Sequence, residues 1–120
     1  MGPVTMVMLG LVMLLHVYIA LLETVFYRTR GVRVFAIARE NVELLRPAMS
    51  NQGCYNTFLA LALMLALVLP GAETARAFGW YGLGCVAIAG LWGGATVSRR
   101  IIFVQTVPAV LGLLALATGV

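Results

Sequence analysis

The stretch NQGCYNTFLALALMLALVLP, Asn51–Pro70, decides the fold. From Phe58 onward it is an uncharged run of Leu, Ala, Met and Val. About 20 such residues, at roughly 1.5 Å of helical rise each, cross the hydrocarbon core of a bilayer. Yet the stretch opens with Asn51, Gln52, Tyr55 and Asn56, side chains that lose hydrogen bonds to water when buried. A membrane helix that starts this way needs partners for them.

Three further apolar runs surround it, Pro3–Tyr27, Phe78–Val97 and Ile101–Thr118. Hydrophobic residues make up 62% of the 120 positions and charged residues 10%, whereas soluble domains are about half apolar. A water-soluble fold of this length cannot hide that much apolar surface. Segments inside lipid must satisfy their own backbone, so they are helices. The expected fold is an all-α integral membrane protein: one domain over residues 1–120, with four transmembrane helices in one bundle. The N-terminal run lacks a basic leader and a small-residue cleavage site, so it reads as a retained membrane helix.

The net charge of +4 is carried by arginine alone, since the chain has no lysine. Arg28, Arg30, Arg33, Arg39 and Arg46 lie in the first connection and Arg99 and Arg100 in the third, against Arg76 in the second. Arginines grouped between apolar runs point to membrane orientation and anionic lipid, not nucleic acid. The positive-inside rule places the seven in the cytoplasm, and both termini on the non-cytoplasmic side of the cell membrane. The first connection mixes Val32, Val34, Phe35, Ile37 and Val42 with its arginines, a pattern for a short interfacial helix with Arg39 and Glu43 paired at i,i+4. In the third run, Gly90 and Gly94 form a GxxxG spacing, which serves packing within the bundle or a homo-oligomer contact. Cys54 and Cys85 fall on different helices with no CxxC, and read as small packing residues.

Once the runs are oriented, polar residues from all four fall in one layer of the cytoplasmic half. These are Glu23; Asn51, Gln52, Tyr55 and Asn56; Trp92 and Thr96; and Gln105. At about 100° per residue, His16, Glu23 and Tyr27 share one stripe of the first helix. Pro108 removes an N–H and frees the Val104 carbonyl beside Gln105. An ionised carboxylate at bilayer depth costs at least about 2.5–3.5 kcal/mol, so an intramembrane acid marks a functional site. Glu23, His16 and Tyr27 are therefore the candidate acid/base groups. Asn51, Gln52, Tyr55, Asn56, Trp92, Thr96 and Gln105 are the candidate ligand-binding groups. The bland alternatives are an ion pair between Glu23 and a loop arginine, and amides acting as interhelical contacts worth about 0.6 kcal/mol each. No HxxxH, HExxH, P-loop or Gly-x-Ser-x-Gly pattern occurs, so neither a metal nor a cofactor is expected. Ser50 and Ser98 read as helix-end residues.

The segments HVYIALLE (His16–Glu23), NQGCYNTFLA (Asn51–Ala60), GLWGGATVSRR (Gly90–Arg100) and QTVPA (Gln105–Ala109) together resemble a family of small bacterial and fungal membrane proteins, domain of unknown function 1304. The family pattern also includes Tyr18, Gly53 and Gly93. It more often has tyrosine where this chain has Trp92. The resemblance implies a four-helix integral membrane protein and no particular reaction. The residues themselves favour a membrane-embedded protein that binds a small apolar or lipid-like ligand, or acts on it by acid/base chemistry. A proton-coupled transporter and a non-catalytic assembly subunit are the alternatives. Membrane lipid is the expected surrounding partner.

Overall fold

After Pro3, placed where its missing N–H costs nothing, residues 4–22 contain no second proline and few helix breakers. The computed structural model, which describes residues 1–120, has helix α1 at Pro3–Glu23. The helix stops at Glu23 rather than continuing to Tyr27. The Thr24 hydroxyl donates to the Ala20 carbonyl at 2.6 Å, and the Phe26 N–H reaches back to Leu21 O at 2.9 Å. This wider turn leads into a π-helical turn at Tyr27–Gly31 and then a single α turn, α2, at Val32–Val34.

A 3-10 turn at Arg39–Asn41 precedes α3, Val42–Val68. The first connection thus holds a short helical run over residues 27–34, a π turn continued by one α turn, while the 3-10 turn leads directly into α3. Helix α3 begins at Val42, well before Asn51. Glu43, Leu44, Leu45, Ala48 and Met49 are good helix formers. Pro47 lies near the helix start, where it removes a single backbone bond. Helix α4 spans Ala72–Thr96, so the second connection is a short turn. A π-helical turn at Ile102–Thr106 leads into α5, Val107–Thr118. The Val107 N–H bonds to Ile102 O, one residue beyond the α register. The widened turn sits next to Pro108, whose ring would crowd the carbonyl four residues back in a regular helix. The fold is all-α, with five helices and no strand.

The chain packs as two compact units, Met1–Leu14 with Leu59–Val120, and Leu15–Phe58. In the first, Leu9, Val12, Leu63, Leu83, Val86, Ala109 and Leu116 form a buried core. Gly90 packs on Thr106, where an added Cβ would lie 2.8 Å from the Thr106 backbone nitrogen, and Gly94 packs on Ile102. The GxxxG spacing therefore serves packing inside the chain. The buried Thr106 hydroxyl donates to Ala87 O at 3.1 Å. Both the backbone N–H and the hydroxyl of Thr5 donate to Val120 O, at 2.9 and 2.6 Å, which joins the two termini. Arg76 donates to Leu116 O at 3.2 Å, a cation at the C-terminal end of α5.

Many large apolar side chains are exposed, among them Val7, Leu11, Phe58, Ile88, Leu91 and Leu114. Two helical runs, Pro3–Glu23 and Arg39–Val68, are long and apolar enough to cross a membrane.

Candidate functional site

The site of the second unit starts from a glycine. At Gly53 of α3, an added Cβ would lie 2.6 Å from Thr24 Cγ2, 3.1 Å from Glu23 Cβ and 3.2 Å from Ala20 O. Only the absence of a side chain allows α3 to come this close to the end of α1. Three residues further along α3, Asn56 is in reach of the same acid. Its Nδ2 donates to Glu23 Oε2 at 2.7 Å. Glu23 is 4% exposed. The arginines that follow it in sequence bond elsewhere, Arg28 to Glu43 and Arg30 to Tyr18. The amide can donate to a carboxylate or to the carbonyl oxygen of a carboxylic acid, so it holds Glu23 in either protonation state.

An open cleft of about 300 Å³ adjoins this pair, lined by Glu23, Tyr27, Arg28, Arg46 and Ser50, with Thr24 and Val25 on its wall. Arg28 donates to Glu43 through Nε at 2.9 Å and Nη2 at 3.1 Å. Arg46 Nε lies 3.5 Å from the same carboxylate. The expected Arg39–Glu43 pair is thus replaced by Arg28–Glu43 and Arg46–Glu43, because α3 starts at Val42 and turns Glu43 toward Arg28. The hydrogen bonds from Arg28 hold the water-exposed Glu43 carboxyl below its ordinary range. Arg30 folds back along α1, donating to the Tyr18 hydroxyl at 2.6 Å with its guanidinium 5.7 Å from the ring centroid.

The remaining candidates separate by environment. His16 is fully buried. Tyr27 is also buried, and its hydroxyl donates to Val42 O at 2.7 Å, which commits the phenolic proton to the backbone. Asn51, Gln52 and Tyr55 are exposed; the Tyr55 ring packs edge-on against Phe58. In the first unit, Trp92 is exposed and Gln105 half-buried. The Thr96 hydroxyl donates to Trp92 O at 2.8 Å, within its own helix. No group of His, Cys, Asp and Glu is arranged to hold a metal ion.

A helix starting at Asn51 leaves Arg46 and Ser50 in the preceding connection, so the sequence does not mark them as site residues. With the helix extended to Val42, Arg46, Ser50 and Gly53 recur at i, i+4 and i+7 on one face. Ser50 is an interior residue of α3, not a helix end.

The model of the family described as "Protein of unknown function (DUF1304)" matches residues 10–117. The chain belongs to this family. The match contains every residue of the cleft and both members of the Glu23–Asn56 pair. No curated protein and no solved structure matches the chain. Membership in DUF1304 brings no reaction with it, so the functional reading rests on the geometry.

Proposed function

We propose that this DUF1304 protein is a multi-pass protein of the cell membrane that binds a small apolar or lipid-like ligand beside Glu23 and acts on it by acid/base chemistry. The observation that carries this reading is a nearly buried carboxyl, held by a neutral amide and without an arginine partner, on the wall of an open cleft. A purely structural acid would be expected to use the adjacent Arg28 instead. Four spans, from α1, the part of α3 after Ser50, α4 and α5, fit the exposed apolar side chains. The Thr5–Val120 contact supports an even number of crossings. The arginine-rich connections then face the cytoplasm and both termini face outward.

Glu23 is the proton donor and acceptor, and Asn56 fixes the orientation of its carboxyl. Such a group suits isomerisation, cyclisation or epoxide opening of an isoprenoid or sterol-like molecule. In these reactions a proton given up at one atom can be recovered from another. His16 lies two turns deeper on α1 and is buried. Tyr27 positions the start of α3 through Val42. The exposed Asn51, Gln52 and Tyr55 are available to the polar end of a ligand at the rim. Trp92, Thr96 and Gln105 take no part in this version of the site.

Native mass spectrometry of the detergent-purified chain, wild type beside Glu23→Gln, with organic extraction of what travels with each, tests the reading. A discrete small molecule retained by wild type and lost in the variant is the expected result. If both forms carry only bulk phospholipid, the ligand reading fails, and transport or assembly becomes the function to examine.

A further inference from the structure

The cleft contains two arginines that acid/base work at Glu23 does not use. Both are tied to one carboxylate, Glu43. The cleft is lined by Arg28 and Arg46 but not by Glu43. The carboxylate therefore ties the two arginines together without itself taking part in the lining. Arg28 uses Nε and Nη2 on Glu43, which leaves the N–H groups of Nη1 uncommitted. Arg46 is held more loosely, with Nε 3.5 Å from Glu43, which leaves its guanidinium able to turn toward a further partner. Ser50, one turn beyond Arg46 on α3, adds a hydroxyl on the same wall.

The charges point the same way. Two guanidiniums against Glu43 leave one positive charge in excess at the mouth while Glu23 is protonated, so an anion is favoured when the acid holds its proton. Planar N–H forks of this kind match the tetrahedral oxygens of a phosphate, and charge-assisted bonds are the stronger class of hydrogen bond. We infer that the cleft recognises a phosphate group through Arg28, Arg46 and Ser50, so that the ligand presented to Glu23 is a phosphorylated lipid-like molecule. This rests on the ligand reading above and names the chemical class of the ligand. The same chemistry would also accept free phosphate, and the two sources are separable.

Farnesyl phosphate, farnesol and inorganic phosphate serve as probes, with binding to the detergent-purified full chain read by thermal shift across a concentration series. Arg46→Gln is the informative variant, because it removes only an exposed ion pair and should not disturb folding. Arg39→Gln, an exposed arginine away from the cleft, controls for general attraction of anions to a basic surface. Wild type should bind farnesyl phosphate on the order of tenfold more tightly than farnesol. That preference should disappear in Arg46→Gln and persist in Arg39→Gln. Inorganic phosphate stabilising wild type as well as farnesyl phosphate does, with the same dependence on Arg46, would uphold the phosphate site and identify the free anion as its occupant. Equal affinity for farnesol and farnesyl phosphate would overturn the inference, as would equal loss in both variants or no binding of either phosphate probe. If farnesol binds wild type and is lost in Glu23→Gln, the acid/base reading survives while the phosphate inference falls.

Discussion

Glu23 and Asn56 each stand out in the sequence as polar residues of apolar runs, but not as partners. Asn51, Gln52 and Asn56 are chemically similar amides in one short segment. Asn56 reaches the carboxyl while the other two are exposed, because it follows the point of closest approach by three residues. Asn56→Leu should leave Glu23 without a hydrogen-bond donor and destabilise the protein by about 1–3 kcal/mol, measured by unfolding in detergent. Glu23→Gln keeps an oxygen for the Asn56 amide, and its effect should stay below about 1 kcal/mol. Comparable losses in both variants would mean that Glu23 is a structural residue. Tyr27 shows the opposite limit of residue-level reading. Its place on the stripe with Glu23 suggested proton transfer, but the helix ends before it and its hydroxyl bonds to Val42 O.

The helices themselves were largely legible, since each is a long apolar run, but their ends were not. Arginines between Tyr27 and Ser50 made the whole segment look like a connection, although the part after Asn41 is rich in helix formers. Setting the start of α3 at Val42 brings Arg46, Ser50 and Gly53 onto one face and places Glu43 beside Arg28. Gly53→Ala tests the contact between α1 and α3. Its new Cβ would overlap Thr24 and press on Glu23, and a loss of about 1–3 kcal/mol in thermal unfolding is expected. Thr106→Val removes the buried bond from the π turn to Ala87 O and should cost about 0.6 kcal/mol, typical of such bonds in membranes. The Arg28–Glu43 pair has a pH signature. Arg28 lowers the carboxyl below its ordinary value of 4.5, so the contribution is fully present above that value and is lost as pH falls through the lowered one. An acid titration of stability should therefore lose this component in Glu43→Gln, and added salt should weaken it in wild type.

The proposed four-span arrangement predicts one orientation for the whole chain. With Cys54 and Cys85 replaced, single cysteines at Arg33 and Arg99 should react with impermeant reagents only from the cytoplasmic side, and one at Thr74 only from outside. Labelling of Arg33 and Thr74 from the same side would eliminate the four-span arrangement. Composition and hydropathy by themselves determined that the chain is all-α and apolar. The distribution of arginines favoured one orientation, and four short motifs were enough to reveal the family. These properties accumulate residue by residue along the chain, so local sequence carries them. Only the tertiary structure decided that Asn56 is the amide that meets Glu23, that Glu43 takes Arg28 and Arg46 rather than Arg39, and that Gly90 and Gly94 pack within the chain. Each of those choices depends on the axial offset and rotation of one helix against its neighbour. Side-chain collisions at a few close approaches set that offset, and no local propensity encodes it.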